Sequence, residues 1–205
     1  MSEAPAPGEH LHDGPPTVPR RAATVILLRG AGERLEVLLV RRNPAARFMG
    51  GAWVFPGGAV DAAEGDDDAA HRAAGIREVA EEAGIELGDA EALVPFARWI
   101  TPEQVRIRFD TWFYLAAAPP GQQARPDGAE TVDARWLAPG EALAAHESGD
   151  LPLVFPTIKN LERLARFGTA DELLGWAAGR EVTPVQPRVE GQGEAARIVL
   201  DGEDD

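Results

Sequence analysis

Three glutamates near the end of one predicted helix constrain this chain more than any other feature of its sequence. Residues 77–85 read REVAEEAGI, which puts Glu78, Glu81 and Glu82 at helical spacings of three and four and so on one face. Like charges at this spacing repel each other, and the carboxyl end of a helix disfavours anions further. A divalent cation such as Mg²⁺ or Mn²⁺ would relieve the repulsion, because carboxylate oxygens are its preferred ligands. The alternative is a solvated acidic face without a ligand.

The helix itself is predicted over residues 69–83, with Asp68 as its N-cap and Gly84 as its left-handed stop. Ala74 and Gly75 lie one turn before the glutamates on the same side, where their small size would admit a loop backbone or a phosphate. Four apolar side chains are expected on the opposite face, toward the core: Ile76, Val79, Ala80 and Ala83.

The sequence before this helix supplies a second feature. Residues 55–58 read FPGG, and Glu64 follows. Here the chain resembles the Nudix hydrolase family, whose box reads Gly, five residues, Glu, seven residues, Arg-Glu, an aliphatic residue, any residue, Glu-Glu, any residue, Gly and an aliphatic residue. The box positions are matched by Gly58, Glu64, Arg77, Glu78, Val79, Glu81, Glu82, Gly84 and Ile85. One departure is the interval from Glu64 to Arg77, which holds twelve residues instead of seven, so that Asp67 or Asp68 could replace Glu64.

The resemblance implies a fold and a chemistry. The fold would be α/β (α+β), a mixed β-sheet sandwiched between helices, and the reaction would be hydrolysis of a phosphoanhydride with Mg²⁺ or Mn²⁺ as cofactor. The implied metal ligands are the carbonyl of Gly57 and the carboxylates of Glu78, Glu81, Glu82 and, from a later loop, Glu130. Glu78 or Glu81 would act on the attacking water, and Arg77 would orient a glutamate. A lone glutamate at a strand start, such as Glu130, is also common as ordinary surface.

Arginines near the box bear on the substrate. Residues 37–58 look like the motif that precedes the box in coenzyme A diphosphatases, and residues 99–102, 108–111 and 151–167 look like the peroxisomal acyl-coenzyme A diphosphatase branch. The implied substrate-binding residues are Arg41, Arg47, Gly58 and Arg108. Each arginine would contact phosphate through its forked donors, or would instead form a structural ion pair. His71 shares the glutamate face and is interpreted as a solvated flank residue rather than a catalyst.

Coenzyme A or an acyl-coenzyme A is therefore the expected substrate. An ADP-ribose or ADP-sugar pyrophosphatase, or a nucleoside triphosphate pyrophosphatase, is the alternative that would use the same helix. The alternative from another functional class is a non-catalytic module that binds a nucleotide. Such a module would typically have lost some of the glutamates, whereas all three are present here. Isomerases of isopentenyl diphosphate share the fold but rely on a cysteine, and this chain has none.

The composition limits the kinds of molecule that this chain is expected to bind. The net charge of −14 disfavours nucleic acids and anionic membranes, which require basic surfaces, and leaves a small nucleotide-type substrate. No apolar run reaches the length of a membrane span, and the start of the sequence has no apolar leader, so that a cytoplasmic protein is expected. The sequence leaves the oligomeric state open, a homodimer included.

The remaining pattern predicts one catalytic domain over residues 20–180. Residues 1–19 contain five prolines and scattered acids and are expected to be a disordered tail. Residues 181–205 are expected to be an extension with a β-hairpin over residues 185–200 that turns at residues 191–193, followed by an acidic tail. Strands are predicted over residues 22–29, 35–41, 53–55, 93–100, 109–117 and 131–137, and helices over residues 141–147, 157–167 and 170–178.

Overall fold

The computed structural model of the chain describes residues 11–12, 14–30, 32, 34–46, 49–61, 63–65, 67–191 and 197–200. Its strands are β1 (Arg20–Arg29), β2 (Glu36–Arg42), β3 (Trp53–Val54), β4 (Gly57–Ala59), β5 (Val94–Ile100), β6 (Phe109–Ala117), β7 (Thr131–Leu137), β8 (Pro184–Val185), β9 (Arg188–Glu190) and β10 (Arg197–Val199). Its α-helices are α1 (Asp68–Ala83), α2 (Pro139–Glu147), α3 (Phe155–Leu164) and α4 (Ala170–Ala177). Within these ranges, no helix combines the length and the apolar character that a membrane span requires.

A mixed sheet forms the centre of the fold, in the order β3-β2-β1-β6-β5-β8, with β4 paired to β1 and β7 paired to β2. Next to their turn, β1 and β2 pair at Leu28–Val37 and Arg29–Glu36. Farther from the turn, β4 takes the place beside β1, and β3 takes the place beside β2. The short link between β3 and β4, which contains Pro56, is therefore held between two central strands.

Helices cover both faces of this sheet. The core cluster on the α1 side contains Val25, Leu27, Leu38, Val40, Val79 and Ala83. The cluster on the side of α2, α3 and α4 contains Ile26, Leu28, Leu39, Ala142, Leu161 and Leu173. Alternate residues of β1 and β2 thus enter different clusters, as expected for strands that are covered on both faces. The predicted fold class, a mixed β-sheet sandwiched between helices, is confirmed.

Most predicted elements lie close to their predicted bounds. β6 and β7 have the predicted ends, and the first two predicted strands pair antiparallel. α2 and α3 each begin two residues earlier than predicted, because Pro139 and Pro156 stand in the first turn, where a proline costs no hydrogen bond. β9 and β10 pair antiparallel within the predicted C-terminal hairpin, and most of the turn predicted at residues 191–193 lies outside the described residues.

The described part of the N-terminal segment makes contacts with the rest of the chain. Leu11 forms a β-bridge with Val105, and the Thr17 hydroxyl donates to the carbonyl of Arg106 over 3.0 Å. These contacts involve backbone groups, which composition alone could not indicate. Residues 1–10 lie outside the described residues.

α1 begins one residue earlier than predicted. Its N-cap is Asp67, whose Oδ1 accepts from the amide of Ala70 over 2.9 Å, so the prediction of Asp68 as the cap is wrong. Gly84 ends the helix at φ 62°, and its amide donates to the carbonyl of Ala80 over 3.0 Å. The predicted left-handed stop is confirmed.

The small residues in the middle of α1 serve the packing of the helix on β1. A Cβ at Gly75 would lie 2.9 Å from Cγ2 of Val25, and Ala74 is fully buried. The expectation that these positions admit a loop or a phosphate is therefore corrected. Their size instead brings α1 close to the sheet, and with it the glutamates one turn later.

Candidate active site

The Gly57–Gly58 backbone lies against the last turns of α1. The amide of Gly57 donates to Oε2 of Glu82 over 2.9 Å. A Cβ at Gly58 would overlap the carboxylate of Glu78, and a Cβ at Gly57 would overlap Thr24 on β1. Glycine at both positions therefore lets the backbone fit between the sheet and the two glutamates.

The three glutamates of α1 have different environments. Glu82 is 2 % exposed and Glu78 is 9 % exposed, whereas the side chain of Glu81 is 61 % exposed. Glu78 and Glu82 belong to the buried stripe of α1 that also contains Val79 and Ala83. The expectation that the carboxylates share a face opposite the core is wrong, because the two buried ones face the sheet and only Glu81 faces solvent.

Burial has the largest effect on the pKa values of Glu78 and Glu82. It raises the pKa of Glu82 to about 7, and the charge of Glu78 adds to this shift, while the Gly57 amide and Arg42 oppose it. Burial also raises the pKa of Glu78, although hydrogen bonding from Arg77 lowers it in part. The pair therefore carries negative charge that its surroundings compensate incompletely, which is the condition of a site for a cation or for proton transfer.

Arg77 connects this pair to the loop before α1. Its Nη1 donates to Oε1 of Glu78 over 2.6 Å and to Oε2 of Glu81 over 3.3 Å. Its Nε donates to Oε1 of Glu64 over 3.1 Å, and its Nη2 donates to the carbonyl of Ala59 over 2.9 Å. These are the contacts expected of an arginine that orients a glutamate.

The two aspartates considered as replacements for Glu64 have other partners. Asp67 caps α1, and Asp68 accepts from the Tyr114 hydroxyl over 2.9 Å and pairs with Arg72. The longer interval between Glu64 and Arg77 thus contains the N-cap and the first turns of α1. Glu64 remains the acidic residue beside the box arginine.

The sequence reasoning did not assign Arg42 to the site, yet it lies beside Glu82, with Nη1 at 4.0 Å from Oε1. Its Nε is buried and has no hydrogen-bond partner in the described part of the chain. Val40 faces α1, so Arg42 extends the same row of β2, whereas the predicted Arg41 lies on the other side of the strand and its Nε donates to the carbonyl of Gly51 over 3.4 Å. The period-two alternation of β2 could have identified Arg42.

Glu130 contributes to the same cluster from the loop before β7. Its side chain is exposed, and its charge adds to the raised pKa of both Glu78 and Glu82. The carboxylate therefore lies within electrostatic reach of both buried glutamates.

The donor chemistry of this cluster fits a divalent cation. The charge of Glu130 raises the pKa of both Glu78 and Glu82, the charge of Glu78 also raises the pKa of Glu82, and the Gly57 amide donates to Glu82. Oxygen donors of this kind suit Mg²⁺ or Mn²⁺. Within the described residues, no group of three or more acidic or histidine side chains lies close enough together to hold an ion. The fifth predicted ligand, Glu81, is turned toward solvent.

Two other predicted positions, Arg108 and His71, are placed differently from the expectation. Arg108 is 6 % exposed, and its guanidinium donates to the carbonyls of Thr101 over 3.0 Å and Thr17 over 2.7 Å, which favours a structural role over phosphate binding. His71 is 7 % exposed, with Nδ1 at 2.8 Å from the carbonyl of the N-cap residue, so the prediction of a solvated flank residue is wrong. Arg47 lies outside the described residues.

Comparison with known proteins identifies the family. The family model of the NUDIX domain matches residues 18–155. The chain is 24 % identical over 271 residues to human acyl-coenzyme A diphosphatase NUDT19, covering 78 % of this chain and 72 % of that protein. It is 26 % identical over 181 residues to putative nudix hydrolase 7 of Caenorhabditis elegans, covering 72 % and 61 %.

Solved structures agree with this match. A NUDIX hydrolase from Alicyclobacillus acidocaldarius has a TM-score of 0.70 and 30 % identity, covering 78 % of this chain and 96 % of that chain. The NUDIX domain of Shewanella oneidensis NrtR, solved with ADP ribose, has a TM-score of 0.56 and 20 % identity, covering 73 % and 88 %, and shows the fold alone. The chain belongs to the Nudix family, and the predicted enzyme class, a Nudix hydrolase, is confirmed.

Proposed function

We propose that this enzyme hydrolyses the phosphoanhydride bond of coenzyme A or an acyl-coenzyme A, with Mg²⁺ or Mn²⁺ as cofactor. One observation carries the hydrolytic part of the proposal, the burial of Glu78 and Glu82 against the Gly57–Gly58 backbone with raised pKa values. Burying two like charges side by side costs stability. A non-catalytic module would typically have lost some of these glutamates, whereas Glu78, Glu81 and Glu82 are all present here. Catalysis is therefore favoured over the non-catalytic alternative.

The chemistry follows from the charge of the substrate. Hydrolysis of a phosphoanhydride requires neutralisation of the phosphate oxygens, a water in line and removal of its proton. A bound divalent cation would neutralise these oxygens and lower the pKa of the water. Glu78, Glu82 and the Gly57 carbonyl would hold the cation. Of the two glutamates predicted to act on the water, Glu78 is better placed than Glu81, because its carboxylate lies against Gly58 whereas the Glu81 side chain is mostly in solvent.

The substrate part of the proposal is supported by sequence likeness. The human relative named acyl-coenzyme A diphosphatase aligns over most of both chains. Coenzyme A carries a diphosphate and a 3′-phosphate, which call for several forked donors. Arg108 is bound to backbone carbonyls, so Arg41 and Arg47 remain candidates for these contacts, and Arg42 joins them through its position beside Glu82. ADP-ribose, ADP-sugars and nucleoside triphosphates are the alternative substrates.

The discriminating experiment compares kcat/KM for coenzyme A, dephospho-coenzyme A and ADP-ribose with Mg²⁺ or Mn²⁺. Coenzyme A should give 3′,5′-ADP and a phosphopantetheine, and should exceed its dephospho form by about 10- to 150-fold, equivalent to about 1.5–3 kcal/mol for one charge-assisted contact. Replacement of the responsible arginine among Arg41, Arg42 and Arg47 by alanine should remove this preference. The variant Arg166→Ala, an exposed arginine beyond α3, serves as the matched control and should keep it.

Equal rates for coenzyme A and its dephospho form, or a much faster reaction with ADP-ribose, would show that the coenzyme A assignment is wrong. In that case the Nudix hydrolase class remains and the substrate belongs to one of the alternatives.

A further inference from the structure

Asn43, the residue after β2, joins two loops beside the buried glutamates. Its backbone amide donates to the carbonyl of Glu130 over 2.8 Å, and its side-chain Nδ2 donates to the carbonyl of Ala129 over 2.8 Å. On its own loop, Oδ1 accepts from the amide of Ala45 over 2.9 Å. Both ends of the Asn43 amide group are therefore used, one to shape its own turn and the other to hold the loop of Glu130.

The loop of Glu130 is also held from its other side. The carboxylate of Asp127 accepts from the amides of Glu130 over 3.0 Å and Thr131 over 2.8 Å. The hydroxyl of Thr131, which is fully buried, donates to the carbonyl of Glu82 over 2.6 Å. The backbone at Glu130 is thus tied both to α1 and, through Asn43, to the end of β2.

The side chain of Glu130 is in a different environment from its hydrogen-bonded backbone. It is exposed, yet its charge acts on both Glu78 and Glu82. A fixed backbone with an exposed carboxylate near two buried ones is the arrangement of a ligand that can turn toward an ion without reordering its loop.

We propose that Asn43 is a positioning residue, whose hydrogen bonds to Ala129 and Glu130 hold the Glu130 carboxylate where it completes the oxygen cluster of Glu78 and Glu82 around a divalent cation. The inference rests on the metal-dependent function proposed above. Without the Nδ2 bond the loop would lose one of its anchors and would be held less firmly at Ala129. The ordering that this bond provides would then have to occur when the ion binds, which lowers the affinity for the ion. Partners that orient metal ligands typically contribute about 10- to 100-fold in metal affinity or activity.

The test is a double-mutant cycle of Asn43→Ser and Glu130→Gln, read by Mn²⁺ affinity in isothermal titration calorimetry and by kcat and KM. Serine keeps an oxygen for the Ala45 amide but is too short to reach Ala129. Asn43→Ser should weaken Mn²⁺ binding about tenfold, and saturating Mn²⁺ should restore its kcat to within about threefold of wild type. In the Glu130→Gln background, Asn43→Ser should cause no further loss, because both changes remove the same interaction.

The other asparagine of the chain provides a matched control. Asn160 accepts from the indole N–H of Trp99 on the opposite face of the sheet, so Asn160→Ser should leave Mn²⁺ affinity unchanged even if it lowers the melting temperature. Wild-type affinity in Asn43→Ser, or additive losses in the double variant, would overturn the positioning role. Mn²⁺ binding that is absent in the wild type, or unchanged in Glu78→Gln/Glu82→Gln, would instead overturn the proposed metal site and the inference with it.

Discussion

The two halves of α1 use charge in opposite ways. In the first half, Asp68 has both Arg72 and the Tyr114 hydroxyl as partners, so that its charge is compensated. In the second half, Glu78 and Glu82 are buried side by side with raised pKa values. A single helix therefore combines an end that stabilises the fold with an end that lowers its stability.

The difference between these halves indicates where the function lies. A charge that is paired and solvated contributes modestly to stability, whereas a buried and poorly compensated one is retained where a ligand or a reaction requires it. The unfavourable cluster also lies at the carboxyl end of α1, where the helix dipole adds to the cost. A cation bound there would remove both penalties.

The largest expected effect comes from neutralising the buried pair. Glu82→Gln and Glu78→Gln should each lower kcat by at least about a hundredfold, because each removes a full charge from the cation site. Glu81→Gln should lower it less, since this side chain is mostly in solvent. Glu86→Gln, an exposed glutamate just beyond the helix, is the matched control and should retain activity. Turnover of either buried variant within tenfold of wild type, with matching thermal melts, would remove that residue from the site.

A smaller effect is expected in the pH dependence of stability without metal. The pKa of Glu82 is about 7 in the folded protein and 4.5 as the ordinary value. The protonated form of Glu82 stabilises the folded protein. This stabilisation is fully present below pH 4.5 and is lost as the pH rises through about 7. The free energy of unfolding should therefore fall by about 2 kcal/mol between about pH 5.5 and pH 8. Chemical denaturation with a chelator present measures this, and the fall should be largely absent in Glu82→Gln. An equal fall in that variant would assign it to other groups.

The smallest effect is expected at the compensated end of α1. Tyr114→Phe removes the hydrogen bond to Asp68, which keeps Arg72 and solvent as partners. The free energy of unfolding should fall by about 1 kcal/mol, the usual net contribution of a hydrogen bond. The value of kcat should change by less than about twofold. A tenfold loss of kcat with the fold retained would show that this end of the helix also serves catalysis.

Much of the fold could be predicted from local sequence patterns. β6 and β7 were predicted with their observed ends, because both are rich in β-branched and aromatic residues. Gly84 was predicted as the stop of α1, because a left-handed residue favours glycine. The pairing of β3 and β4 with different strands is a long-range feature that no local pattern predicts.

The sequence predicted which residues lie together near the end of α1 better than it predicted their environment. The box identified Glu78 and Glu82, but amphipathic reasoning placed charged residues away from the core, and their burial contradicts it. Arg42 was missed because adjacent arginines look equivalent until the alternation of β2 separates them. The partners of Arg108 are carbonyls, which every residue possesses, so sequence could not reveal that this arginine is already bound.

The most direct test of the contrast within α1 is the change in melting temperature caused by Mn²⁺ or Mg²⁺ at about pH 8. If a cation relieves the repulsion between Glu78 and Glu82, the wild type should be stabilised by about 2.7 kcal/mol when the ion is at a hundred times its Kd. The double variant Glu78→Gln/Glu82→Gln should show no shift, whereas Glu86→Gln should shift like the wild type. An unchanged shift in the double variant would contradict the account, because the ion would then bind elsewhere.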